Sequence, residues 1–254
     1  MHVDYRKVLF ISDAHLKDPG DENYRAMLAF LDGELRKIDD GKGVDALMIV
    51  GDFFDVWINN YSVPLRYRPV MSRLEALFQR NVPIHFFEGN HDFFMGRLFK
   101  RLTGAYVYPD GADFSIQGLR LFITHGDQVN KHNRGARLLR WILRCPVIRL
   151  VTFIAPSKPV ELIGTIMGKM SRREHDEAMS LEYAASEHVR EFCREKHEEG
   201  YGGVVIGHYH AQVQATPDKG GFPCLYLNTG RWGWGKYHYT LLEGGEFTHY
   251  NFRF

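Results

Sequence analysis

Three short apolar runs constrain this chain most, because each one runs out in groups that bind ions. "KVLFIS", Lys7 to Ser12, leads into Asp13. "DALMIV", Asp45 to Val50, leads into Gly51 and Asp52. "VPIHFF", Val82 to Phe87, leads into Gly89, Asn90, His91 and Asp92. Apolar stretches of this length without polar alternation read as strands buried on both faces. Between the first two, Tyr24, Met27, Leu28, Leu31, Leu35 and Ile38 recur at spacings of three and four, the period of an amphipathic helix. A second helical pattern lies around Val70 to Phe78. Strands alternating with helices predict βαβ units and parallel pairing.

After Tyr106 the texture becomes β-rich. "ADFSIQGLRLFITHGD" reads as two strands about a turn at Gln117-Gly118. "GGVVIGHYH", "FPCLYLNTG" and "KYHYTLLEGGEFTHYNF" supply further strands, with a last hairpin turn at Glu243-Gly244-Gly245. Between these regions, residues 130–199 read as a helical insertion. The expected organisation is one α/β domain over residues 1–254 with an inserted helical cap.

Composition narrows the function classes. A net charge of +1 over 254 residues excludes a polycation. Three cysteines without a C-x-x-C pair suggest no disulfide framework, and so a reducing, cytoplasmic compartment. No apolar stretch reaches the roughly 20 residues of a spanning helix, and the N-terminal run is too short for a signal peptide.

Each strand end offers potential metal ligands: Asp13 and His15 in "SDAH", Asp52 and Asp55 in "GDFFD", and Asn90 and His91 in "GNHD". His125 in "THGD" and His208 and His210 in "GHYH" complete the set. Ligands bind in the crevice beyond the carboxyl ends of strands in open α/β sheets. A D-x-H or H-x-H step on a strand would place both side chains on one face. Mixed oxygen and imidazole ligands suit Mn, Fe, Zn or Co better than Mg or Ca. A carboxylate between two ions about 3.5–4 Å apart is an arrangement for phosphoryl chemistry. Any one piece alone reads equally well as an ordinary turn. Five in chain order, each at a strand end, do not.

These motifs, in order, resemble the calcineurin-like metallophosphoesterase signature. The resemblance implies a four-layer αββα sandwich and two divalent transition metals, manganese first, with iron or zinc as the other choices. It implies that Asp13, His15, Asp52 and His210 hold one ion. Asp52, Asn90, His125 and His208 would hold the other, with Asp52 bridging. His91 would stand beside the substrate phosphate, oriented by Asp55, while Asp92 holds the loop.

A second layer is carried by "LMIVGDFFDVWI", "FFEGNHDFFMGRLF", the insertion after "THGD" and the ending "LYLNTGRWGWGKYHYTLLEGGEFTHYNF". These stretches resemble the UDP-2,3-diacylglucosamine hydrolases. That resemblance implies hydrolysis of a lipid pyrophosphate, in lipid A biosynthesis, to 2,3-diacylglucosamine 1-phosphate and UMP. The chain departs from that pattern in having His91 where Arg is usual and Asp55 where Glu is usual. It also lacks a Tyr shortly after "HGD", where Asn133 and Ala136 stand nearby.

The insertion has its own signal. Residues 131–173 hold ten Lys or Arg and one acid, Glu161, in a chain of net charge +1. Arg134, Arg137, Arg140 and Arg144 would share one helix face, with Leu138, Leu139, Ile142 and Leu143 largely opposite. A basic amphipathic helix seeks anionic lipid or phosphate; the alternative is an ordinary solvated cap helix. The expected partners are a nucleotide-sugar lipid and the inner face of the cytoplasmic membrane. Nucleic acid is disfavoured, because the rest of the chain is acidic and the basic residues are mixed with apolar ones. Another phosphodiesterase or nuclease activity is the alternative function. A non-catalytic scaffold is disfavoured by the full ligand set and His91, and no motif calls for an obligate protein partner.

Overall fold

The computed structural model describes residues 1–58, 65–93, 95–131, 145, 177–217 and 221–254. In chain order the first strands are β1 (His2–Val3), β2 (Lys7–Ile11), β3 (Ala46–Val50), β4 (Trp57–Ile58), β5 (Ile84–Phe87), β6 (Asp92–Phe93) and β7 (Tyr106–Tyr108). They are followed by β8 (Ala112–Ile116), β9 (Leu119–Ile123), β10 (Gly203–Ile206), β11 (Gln212–Ala215), β12 (Leu225–Thr229), β13 (Trp232–Gly233), β14 (Lys236–Glu243) and β15 (Glu246–Asn251). The helices are α1 (Glu22–Asp39), α2 (Arg68–Gln79), α3 (Gly96–Thr103), α4 (Glu177–Ala184) and α5 (Glu187–Glu198).

The strands form two large sheets. One runs β13-β14-β2-β3-β5-β7, with β15 also on β14; the other runs β1-β8-β9-β10-β12-β11. β2, β3, β5 and β7 are parallel, as strand–helix alternation requires. The third apolar run starts pairing at Ile84 rather than Val82, since Pro83 has no N–H for a ladder.

The period-two pleat explains why these strands are apolar throughout. Val8, Phe10, Ala46, Met48, Val50 and Phe87 point to the other sheet and meet Phe114, Ile116, Leu121, Ile123, Val205 and Leu227. Their neighbours Leu9, Ile11, Leu47, Ile49, Ile84 and Phe86 point outward under the helices, against Tyr24, Met27, Leu31, Val70, Leu74 and Phe99. On the far side, Val204, Ile206 and Tyr226 are covered by Val189, Phe192 and Cys193 of α5. The order helix, sheet, sheet, helix is the four-layer αββα sandwich expected from the motifs. Helix α5, within the stretch read as an insertion, packs on the second sheet as this outer layer. The basic face expected at Arg134, Arg137, Arg140 and Arg144 lies outside the described residues.

Candidate metal centre

Five strand ends converge on one site. Asp13 and His15 follow β2, Asp52 follows β3, Asn90 and His91 follow β5, His125 follows β9, and His208 and His210 follow β10. Both sheets therefore contribute their carboxyl ends. Beyond the strands, hydrogen bonds from Asp13 N to Gly51 O (3.1 Å), His15 N to Asp52 O (2.9 Å) and Leu16 N to Phe53 O (3.0 Å) lock the first two loops together. The short β4–β6 pair sets Trp57 beside Asp92 and ties the second loop to the third.

The D-x-H and H-x-H steps are not pleated strand, as the spacing alone predicts. β2 ends at Ile11 and β10 at Ile206. Asp13, His15, Asp52, His208 and His210 all have φ between 43° and 63°. They are five of the eight non-glycine residues with positive φ among the described residues. Backbone strain concentrated in this way marks a functional site held by its surroundings.

Gly89 serves closeness rather than a left-handed turn. A Cβ there would lie 2.1 Å from Asp52 Oδ1 and 2.6 Å from Asp52 N. Any side chain at 89 would push Asp52 out of place. The carboxylate of Asp92 accepts from the N–H groups of Asp52 (3.0 Å), Phe53 (2.6 Å), Phe54 (3.1 Å) and Gly89 (3.1 Å). It cross-braces the two loops. Burial and the nearby Asp52 push the Asp92 carboxyl above its ordinary range, with those N–H donors pulling the other way.

Asp52 is the hub. Its Oδ1 accepts from the His91 N–H at 2.9 Å. Its Oδ2 lies 3.5 Å from His125 Nε2, 3.9 Å from His15 Nε2 and 4.0 Å from His91 Nε2. Asp13 accepts the His208 N–H at 3.0 Å and lies 3.4 Å from His210 Nε2. Three overlapping groups have ligand atoms close enough to share an ion: Asp13–His15–His210, His15–Asp52–His91 and Asp52–His125–His208. His91 thus also lies within ligand distance.

Whether the residues fit metal ions can be judged from their spare valences. Asn90 Oδ1 and His125 Nε2 are buried and have no hydrogen-bond partner among the described residues. Such atoms are costly unless something binds them. His125 Nδ1 donates to the Val50 carbonyl at 2.9 Å, which turns the Nε2 lone pair toward Asp52. Burial, reinforced by His91, holds the His15 imidazole down at about 3. Burial and the nearby His125 hold His208 at about 4. Both are therefore neutral, the form that ligates. Burial opposes protonation of His125 too, but the Asp52 carboxylate outweighs it and pushes the group up to about 10. For Asp13, burial is overcome by the hydrogen bond and charge of His210, which bring the carboxyl below its ordinary range. A divalent ion in place of the His125 proton would satisfy Asp52, His125 and Asn90 together, so the donor set fits.

Asp55 reaches His91 through its main chain, not its carboxylate. His91 Nδ1 donates to the Asp55 carbonyl at 2.9 Å. The Asp55 carboxylate lies instead 3.8 Å from Lys17 Nζ. An Asp–His side-chain pair, suggested by the motif, is therefore not what orients the ring. His15, His91 and His210 open onto a cavity of about 330 Å³ that Lys17, Asp55 and Trp234 also line. No motif in the sequence marks Trp234. Its signal was the turn "RWGWGK", where a second tryptophan stands between glycines.

The family model for calcineurin-like phosphoesterases matches residues 6–212, which span all of these ligands. The chain belongs to this family. It is accordingly a metal-dependent phosphoester hydrolase, and the family implies divalent ions at the clusters above. A UDP-2,3-diacylglucosamine hydrolase of Pseudomonas aeruginosa is 30% identical over 234 residues, 89% of this chain and 92% of that protein. One of the same name from Escherichia coli is 27% identical over 202 residues, 80% of this chain and 81% of that protein.

Proposed function

We propose that the chain hydrolyses the pyrophosphate of UDP-2,3-diacylglucosamine to UMP and 2,3-diacylglucosamine 1-phosphate. The observation that carries the hydrolytic part is the convergence of five strand ends on Asp52, with Asn90 Oδ1 and His125 Nε2 buried and without a hydrogen-bond partner among the described residues. The lipid part is supported by the two hydrolases that align along most of the chain. Asp13, His15, Asp52 and His210 would hold one ion, and Asp52, Asn90, His125 and His208 the other. Manganese is the first choice, iron or zinc the next. When bound, two such ions supply an activated water and a clamp on the phosphate oxygens.

The protein's own groups do the rest. Asp92 fixes the loops that set Asp52 beside Asn90. His91, with Nδ1–H tied to the Asp55 carbonyl, keeps Nε2 toward the phosphate and, in the imidazolium form, can donate a proton or hydrogen bond there. Water attacks the α-phosphorus next to uridine. Hydrolysis in ¹⁸O-water should put the label in UMP; label confined to the sugar phosphate would contradict this. The same assay tests the lipid. Each buried methylene contributes about 0.8 kcal/mol, so the diacyl substrate should be turned over far better than UDP-glucosamine. Equal rates would remove the acyl-binding part and favour another phosphodiester substrate.

The segment 131–173, basic and apolar by sequence, is the part we assign to the acyl chains and to an anionic membrane surface. Among the described residues no helix is long and apolar enough to cross a membrane. Attraction of about 1 kcal/mol per basic residue near anionic lipid is screened by salt. Binding to anionic vesicles should therefore fall as salt rises, and Arg137→Glu with Arg140→Glu should weaken it at unchanged metal content. No vesicle binding at low salt would remove the membrane assignment alone.

A further inference from the structure

The hairpin β13–β14 pairs Trp232 with Tyr237 and Gly233 with Lys236, which leaves a two-residue turn of Trp234 and Gly235. Both have positive φ, 54° and 76°. That is the pattern of a type I′ turn, whose first central position favours Asn, Asp or Gly. A tryptophan there is strained, because bulky side chains seldom adopt a left-handed backbone. The turn geometry does not call for an indole, and the ring is not buried in the core. Trp232, two residues earlier, is fully buried, while Trp234 is 51% exposed.

The ring reaches the catalytic cavity instead. Trp234 lines it together with His15 and His91. Its centroid lies 6.4 Å from the His15 ring, and the Arg231 guanidinium lies 5.4 Å from the indole. Asp21 and Glu22, at the start of α1, rim the same cavity. Asp21 makes no side-chain capping bond to its helix, so its carboxylate is not committed there. An aromatic plane beside carboxylates matches a base joined to a vicinal diol. Bases stack on such planes, and carboxylates accept from ribose hydroxyls. A cavity of about 330 Å³ is at the small end for ligand sites, and its acidic rim does not suit acyl chains.

We propose that Trp234 is the stacking platform for the nucleobase of the substrate, with the Asp21–Glu22 edge facing its ribose. This rests on the nucleotide-sugar reading above. The nucleoside half would then lie over the β13–β14 turn, and the lipid half would leave the metal cluster on another side.

The test compares UMP with ribose 5-phosphate, which keeps the ribose and phosphate and lacks the base. Binding is followed by indole fluorescence and by calorimetry on the purified protein. Trp234→Asn places a residue the turn prefers, so its melting temperature should be equal or higher. The affinity ratio of UMP over ribose 5-phosphate should fall about tenfold in Trp234→Asn, in line with base stacking on an aromatic side chain. Trp234→Phe should keep most of that ratio. An unchanged ratio in Trp234→Asn overturns the proposal. So does an equal loss for both ligands, which would mean a purely structural turn residue. A loss falling on glucosamine 1-phosphate instead of UMP would give the ring to the hexose and overturn it as stated. A protein that binds UMP through Trp234 yet leaves UDP-2,3-diacylglucosamine intact would keep the platform and lose the lipid substrate.

Discussion

Asp52→Ala should abolish hydrolysis, by more than about 10³-fold, and strip metal from both halves of the site. The expectation follows from where the Asp52 carboxylate stands. Oδ2 faces His125, His15 and His91 at 3.5, 3.9 and 4.0 Å. No other described side chain lies within ionic reach of those three imidazoles together. Oδ1 also accepts the His91 N–H. Without the carboxylate, a second ion would have to sit beside the first with nothing shared between their charges. The two-ion clamp is a large contribution to phosphoryl transfer and is lost as a unit. Elemental analysis after loading with manganese reads the outcome: two ions per chain in the parent, one or none in the variant. Asp52→Asn is the sharper control, since it keeps the shape and the hydrogen bond to His91 but removes the charge. If either variant retained two ions and most of its turnover, Asp52 would not be the bridge and the ligand assignment would have to be redrawn. A parent chain with one ion or fewer and full activity would defeat the two-ion reading altogether.

The positions of these groups were legible in the sequence for a simple reason. A strand buried on both faces must be apolar throughout, so the first polar residues after it mark the end of the sheet. "KVLFIS", "DALMIV" and "VPIHFF" announce Asp13, Asp52 and Asn90 in that way. The local geometry was not legible. A D-x-H step looks like pleated strand, but Asp13 and His15 lie beyond β2 with φ of 50° and 43°. Nothing in two letters separated by one reports a left-handed backbone imposed by neighbours. A glycine after a strand suggests no more than a turn; the actual constraint on Gly89 is the Asp52 carboxylate that its missing Cβ would strike. Asp55 read as a side-chain partner of His91, because motifs name residues and not main-chain carbonyls. Trp234 is silent in the sequence because a hairpin turn is recognised by Asn-Gly or Asp-Gly, and here the ligand-facing ring overrides turn preference. Sequence reasoning failed at the places where site chemistry competes with local propensity.

His91 carries the second large prediction. His91→Ala should lower kcat about 10²–10⁴-fold, the usual contribution of a positioned proton donor. Metal content should be retained, since Asp13, His15, Asp52, His210, Asn90, His125 and His208 remain. The metal reading matters, because His91 lies within ligand distance of His15 and Asp52. A variant that lost an ion along with its activity would make His91 a ligand instead of a donor. The structure also separates His91 from Asp55. The ring is held by the Asp55 carbonyl at 2.9 Å, and among the described residues the carboxylate's ion-pair partner is a partly exposed Lys17 at 3.8 Å. An ion pair of that kind contributes about 0–1 kcal/mol. Asp55→Ala should therefore cost no more than about fivefold in kcat, because alanine has the same carbonyl. If orientation came from the carboxylate, Asp55→Ala would approach the His91→Ala value. His91→Arg completes the set. A guanidinium can donate to phosphate without titrating, so a hydrogen-bonding role would survive the swap. A proton-transfer role would not, because arginine does not release a proton at working pH. Substantial kcat in His91→Arg beside a large loss in His91→Ala would assign the group to charge stabilisation, and equal losses would assign it to proton donation.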